Sequence, residues 1–152
     1  MGFMIFPASM NCSPDVTQPP LRVILAEGSA LVRVALRQML AEVEGVVVVG
    51  EAASGDELLS LLRSTHAHLV LLDLGLSCRD LAVALAAYKT ARPGVRVIAL
   101  SQLCSPALDQ HCFTAGVDSV LSKTGGLERL AQTLVRFSRQ QFPGDSGQPC
   151  IP

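Results

Sequence analysis

The stretch His68-Leu69-Val70-Leu71-Leu72-Asp73-Leu74 constrains this chain more than any other. Branched aliphatic residues follow one another without polar alternation. A strand covered on both faces needs that pattern, and such strands belong to the middle of a parallel sheet. The run stops on a carboxylate, Asp73, where the strand hands over to a loop. In open α/β sheets the working site lies outside the carboxyl ends of the strands, so an acid there is well placed for chemistry.

The rest of the chain supplies partners for that strand. Leu21 to Ala26 reads as a first strand, followed by Glu27-Gly28-Ser29. Ser29 is the N-cap of a helix whose apolar face is Val32, Leu36, Met39 and Leu40. Val46 to Val49 reads as a second buried strand, closing on Gly50-Glu51. Ser54-Gly55-Asp56-Glu57 is a capping box that opens a helix carrying Leu58, Leu59, Leu61 and Leu62. Beyond Asp73, an Ala- and Leu-rich helix runs from Asp80 to Ala91 and stops at Pro93-Gly94. Val95 to Leu100 is a fourth strand, ending at Ser101. Ser105-Pro106 starts the next helix, with serine as cap and proline in the first turn, and Gly116 ends it. Asp118 to Leu121 is a short fifth strand running into Ser122-Lys123. Thr124 is expected to cap the last helix, whose face is Leu127, Leu130, Leu134 and Phe137.

Five strands alternating with five helices predict an α/β fold: a flavodoxin-like, doubly wound parallel sheet with right-handed crossovers and strand order 2-1-3-4-5. The switch point between strands 1 and 3 then brings Glu27 and Asp73 together, with Ser101 and Lys123 at the neighbouring strand ends.

Length and composition fit that picture. At 152 residues the chain suits one domain, expected over residues 21–138. Residues 1–20, with Pro7, Pro14, Pro19 and Pro20, read as a disordered tail, and residues 139–152 as a second, frayed one. Apolar residues make up 49%, yet no run reaches the roughly 18 that a membrane helix needs. The apolar stretch Met1 to Pro7 is short and lacks a basic flank, so it does not read as a signal peptide. A net charge of −1 with scattered Lys and Arg offers no footprint for nucleic acid. The cysteines (Cys12, Cys78, Cys104, Cys112, Cys150) and histidines (His66, His68, His111) show no metal-ligand spacing. An odd number of dispersed cysteines fits reduced thiols in a cytosol.

Acids, a hydroxyl and an ammonium at adjacent strand ends can hold a divalent cation and a phosphoryl group. Mg²⁺ binds through one or two carboxylates and keeps several waters. A carboxylate such as Asp73 can itself act as the nucleophile toward phosphorus. The added charge then needs donors, which Ser101 and Lys123 supply.

From Leu21 to about Phe137 the chain resembles the receiver domain of bacterial two-component response regulators, the CheY-like fold. The resemblance rests on Arg22-Val23-Ile24-Leu25-Ala26-Glu27, Val48-Val49-Gly50-Glu51-Ala52, Leu69-Val70-Leu71-Leu72-Asp73-Leu74, Val97-Ile98-Ala99-Leu100-Ser101, and Ala115-Gly116-Val117-Asp118 running to Lys123. Ala30-Leu31-Val32-Arg33 makes it look most like receivers of the subfamily with a LuxR-type helix-turn-helix. The resemblance implies a cytoplasmic signalling domain rather than an enzyme. Asp73 would be phosphorylated by a histidine kinase or a phosphotransfer protein, with Ser101 and Lys123 binding the phosphoryl group. It also implies a Mg²⁺ site formed by Glu27, Asp73 and the backbone carbonyl of Gly75.

This chain departs from the family's pattern at three places. Gly28 replaces the second of two adjacent acids, so Mg²⁺ binding is expected to be weak. Ser77 stands where the family has a proline, and Val120 where it has a switch aromatic. Nothing after Phe137 is long enough for a helix-turn-helix, so direct DNA binding by this chain is not expected. The outer face of the last helix, with Arg129, Gln132 and Arg136, is a candidate surface for homodimerisation or partner docking. Two functional readings follow: a phosphoacceptor receiver, or a pseudo-receiver that serves as a phosphorylation-independent interaction module. A small α/β enzyme or flavin binder is disfavoured, because no glycine-rich phosphate loop follows the first strand.

Overall fold

The computed structural model describes residues 18–76, 80–103 and 105–140. Ser77, Cys78 and nearly all of the two expected tails lie outside the described residues. The elements run Leu21–Ala26 (β1), Ala30–Ala41 (α1), Val46–Ala52 (β2), Gly55–Ser64 (α2), Leu69–Asp73 (β3), Leu81–Ala91 (α3), Arg96–Ser101 (β4), Pro106–Ala115 (α4), Ser119–Ser122 (β5) and Leu127–Ser138 (α5). All strand pairs are parallel and the sheet order is β2-β1-β3-β4-β5, as expected.

Side chains along a strand point alternately to opposite faces, so an unbroken aliphatic strand feeds two cores at once. Val70 and Leu72 of β3 join Ile24, Val97, Leu58, Leu62 and Leu85 under α2 and α3. Leu69 and Leu71 join Val23, Leu25, Ile98, Leu36, Leu40 and Leu134 under α1 and α5. Leu69 to Leu72 are at most 1% exposed, and each such side chain contributes about 2 kcal/mol of transfer free energy. That double burial makes β3 the rigid rail on which Asp73 is carried.

The expected caps hold at Ser29, Ser54 and Ser105, and Asp80, expected as the first residue of its helix, is its N-cap. Ser29, Ser54, Asp80 and Ser105 each accept backbone N–H bonds from the first turn, and Glu57 reaches back to the Ala53 N–H. At α5 the expectation fails. Gly126, with φ +88°, occupies the cap position without a side-chain bond. Thr124 instead pairs its hydroxyl with Ser122 and takes the Ser122 Oγ on its own N–H. Leu127 also departs from the expected face: it is 55% exposed, while Leu130, Thr133, Leu134 and Phe137 are buried.

β2 corrects a second expectation. It is an edge strand, exposed at Val47 and fully buried only at Ala52, and it does not stop at Val49. Val23 pairs with Val48 but Ile24 with Gly50, so one extra residue bulges and the strand continues to Ala52. A Cβ at Gly50 would sit 3.2 Å from both Leu61 methyls, which explains glycine at that point. β5 is shifted by one residue from the expected span and ends at Ser122.

Candidate functional site

Strand register assembles the site. Ala26 pairs with Leu72, so Glu27 and Asp73 leave the sheet side by side at the switch point between β1 and β3. Asp73 pairs with Leu100 and Ser101 with Ser122, which brings the Ser101 and Lys123 ends to the same edge. The backbone locks them there. Glu27 N–H donates to Ala52 O at 3.0 Å, Leu74 N–H to Leu100 O at 3.0 Å, and Lys123 N–H to Ser101 O at 2.8 Å.

Lys123 is the hub. Its Nζ donates to Glu27 Oε2 at 2.7 Å and lies 2.8 Å from Asp73 Oδ1. The side chains of Lys123, Glu27 and Asp73 are 15%, 3% and 12% exposed, so the bridge is largely sheltered from water. Burial alone would lower the lysine's pKa. Its bonds to Asp73 and Glu27, together with their charges, outweigh that and hold it above the ordinary 10.5.

The remaining carboxylate oxygens differ sharply. Glu27 Oε1 accepts the Ser29 N–H at 2.9 Å, and Asp73 Oδ1 also accepts the Gly75 N–H at 3.1 Å. No hydrogen bond or ion pair reaches Asp73 Oδ2 from the described residues. Asp73 lines an open cleft of about 680 Å³ together with Glu27, Gly28, Gly75, Ser101 and Lys123, with Leu103 and Leu108 along its wall.

All four expected site residues therefore meet at one cleft, but Ser101 is not poised as a donor into it. Its hydroxyl donates to Leu103 O at 2.7 Å and accepts the Leu103 N–H at 3.1 Å, closing a local turn. Sequence reasoning missed two supporting residues. Ser29 was legible as a helix cap, yet it also fixes Glu27 through its N–H. Arg33 clamps the Glu27 carbonyl through Nη1 at 2.7 Å, and only its position one turn into α1 hinted at that reach.

The expected metal ligands fit a divalent ion poorly. Mg²⁺ demands near-octahedral oxygen ligands at about 2.1 Å. Both Glu27 oxygens and Asp73 Oδ1 are already engaged by protein donors. No group of three or more His, Cys, Asp or Glu is arranged for a metal among the described residues.

An acid pair at the switch point of a five-stranded parallel sheet, bridged by the lysine that follows the last strand, is the arrangement of a receiver-type domain. Residues 23–135 match the family model described as the response regulator receiver domain, and the chain belongs to that family. Response regulator GacA of Pseudomonas protegens is 28% identical over 123 residues, which cover 80% of this chain and 58% of the relative. Response regulator protein VraR of Staphylococcus aureus is 27% identical over 119 residues, covering 78% and 57%. The chain thus spans less than two thirds of the length of these curated relatives.

Solved structures share the fold. The isolated receiver domain of RcsB from Salmonella enterica serovar Typhimurium, in the presence of the phosphomimetic BeF₃⁻, superposes with a TM-score of 0.72 at 22% identity, covering 81% of this chain and 91% of that one. The signal receiver domain of NarL from Mycobacterium tuberculosis gives 0.71 at 24% identity, covering 80% and 98%. None of the described helices is long and apolar enough to cross a membrane.

Proposed function

We propose that this receiver, taken as residues 21–138, accepts a phosphoryl group on Asp73 from a histidine kinase or phosphotransfer protein and signals through its outer helices. The observation that carries the reading is Asp73 itself: a carboxylate lining an open cleft, its Oδ2 without a donor among the described residues and its Oδ1 2.8 Å from an ammonium. In the transfer, Oδ2 attacks phosphorus, the new acyl–phosphate bond forms, and the donor's P–O or P–N bond breaks with its leaving group. Lys123 then has a phosphoryl oxygen as well as Glu27 to bond, and the hydroxyl of Ser101 can turn from Leu103 toward the new anion. Arg129, Gln132 and Arg136 on α5 are exposed and available to a partner or a second copy.

A second reading, a pseudo-receiver that works unmodified, draws support from Ser101 already satisfied by Leu103 and from Val120 in place of an aromatic. The test is acetyl phosphate treatment followed by intact mass. One added phosphoryl group on the parent protein and none on Asp73→Asn is the expected result. Equal labelling of both removes Asp73 as the acceptor, and no labelling of either favours the pseudo-receiver.

A further inference from the structure

We propose that Lys123 is the resident cation of this acidic site, and that the cleft works without a divalent metal. The inference rests on reading the cleft as a receiver's acidic site.

Three observations carry it. First, of the four carboxylate oxygens contributed by Glu27 and Asp73, three already accept from Lys123, the Ser29 N–H or the Gly75 N–H. Among the described residues, Asp73 Oδ2 is the one carboxylate oxygen of this pair that a cation entering the cleft meets without a protein donor on it. Mg²⁺ gives up its water reluctantly, and a single monodentate carboxylate repays little of that cost.

Second, displacing Lys123 has its own penalty. The Lys123 side chain is only 15% exposed, and a dication bound to the same carboxylates would hold its ammonium within a few ångströms of two further positive charges. Third, the gap in the acid set is not forced by packing. A Cβ at Gly28 would meet Leu76 Cδ1 at 3.6 Å and Ala53 O at 3.8 Å, which are ordinary contacts, and Gly28 lines the cleft. The position accepts a Cβ without strain and carries none. With two acids facing one lysine, the site is left at net −1, half the charge of the two carboxylates alone.

The experiment is an amide NMR titration of the full chain with MgCl₂, repeated with Mn²⁺ to read line broadening, on the parent protein and on Gly28→Asp. The parent is expected to show no saturable shift or selective broadening at Asp73, Gly75 or Lys123 at millimolar metal. Gly28→Asp is expected to gain saturable binding at least tenfold tighter than any seen in the parent. Saturable low-millimolar binding by the parent would overturn the proposal. A Gly28→Asp variant that stays blind to metal would also overturn it, since the missing acid would then not be the cause.

Acetyl phosphate labelling in EDTA and in Mg²⁺ separates this inference from the acceptor reading. Equal labelling of Asp73 in both supports a metal-free site, and labelling that needs Mg²⁺ refutes it. Absence of labelling in both conditions removes the acceptor reading alone, and the titration still decides the question of the resident cation.

Discussion

The Ser101 hydroxyl and the Leu103 peptide form a closed pair: Oγ donates to the Leu103 carbonyl at 2.7 Å and accepts the Leu103 N–H at 3.1 Å. A hydroxyl has one proton to give, so Ser101 cannot donate to an anion in the cleft while it closes this turn. Donation to an anion and donation to the Leu103 carbonyl exclude each other, and Leu103, 74% exposed, rides on the difference. Ser101→Ala removes the closure, and both Leu103 backbone groups lose a partner. Urea denaturation should register a loss of about 1 kcal/mol. An unchanged midpoint would mean that water replaces the hydroxyl at no cost and that the turn is no latch.

Removing the bridging cation should cost more. In Lys123→Met, Glu27 stays 2% exposed with one oxygen stripped of its partner, and breaking a buried pair in this way costs about 3 kcal/mol. Adding Glu27→Gln should recover part of that loss, and a double-mutant cycle should return a coupling above about 1 kcal/mol. The pH dependence has a definite sign. Lys123 is raised above its unfolded value of 10.5, so its contribution is complete below that value and fades as pH climbs through the folded one. The stability gap between parent and Lys123→Met should hold steady from neutrality to about pH 10 and narrow only above it. A gap that already closes near neutral pH would show that the lysine is not held by the two carboxylates.

Strand order, both cores and the four strand-end residues were legible because burial periodicity and topology depend on side-chain type alone. Leu69 to Leu72 could only be a doubly covered strand, and once β1 and β3 are neighbours, Glu27 must face Asp73. What the sequence could not show was direction. Ser101 reads the same whether its hydroxyl faces the cleft or its own turn, and only the positions of the Leu103 peptide groups decide. Thr124 and Gly126 pose a similar choice at the start of α5. A threonine two residues before the cap found a better partner in Ser122, and glycine took the left-handed φ that begins the helix.

Leu127 and Leu134 test how far periodicity can be trusted within α5. They lie seven residues apart, two turns along the same side of the helix, and sequence spacing ranks them alike. Position along the axis separates them. Leu134 sits fully buried over the sheet among Leu25, Leu36 and Ile98, whereas Leu127 follows the β5–α5 loop in the first turn and is 55% exposed. It borders an apolar cleft with Leu31, itself 81% exposed, so neither closes the core. Leu134→Ala should therefore cost about 3 kcal/mol, the usual loss for a leucine whose cavity cannot collapse. Leu127→Ala should stay within about 0.5 kcal/mol, the range of a surface substitution. Chemical denaturation of the two variants decides the matter, and comparable losses would mean that α5 packs one turn further toward its N-terminus than the structure shows.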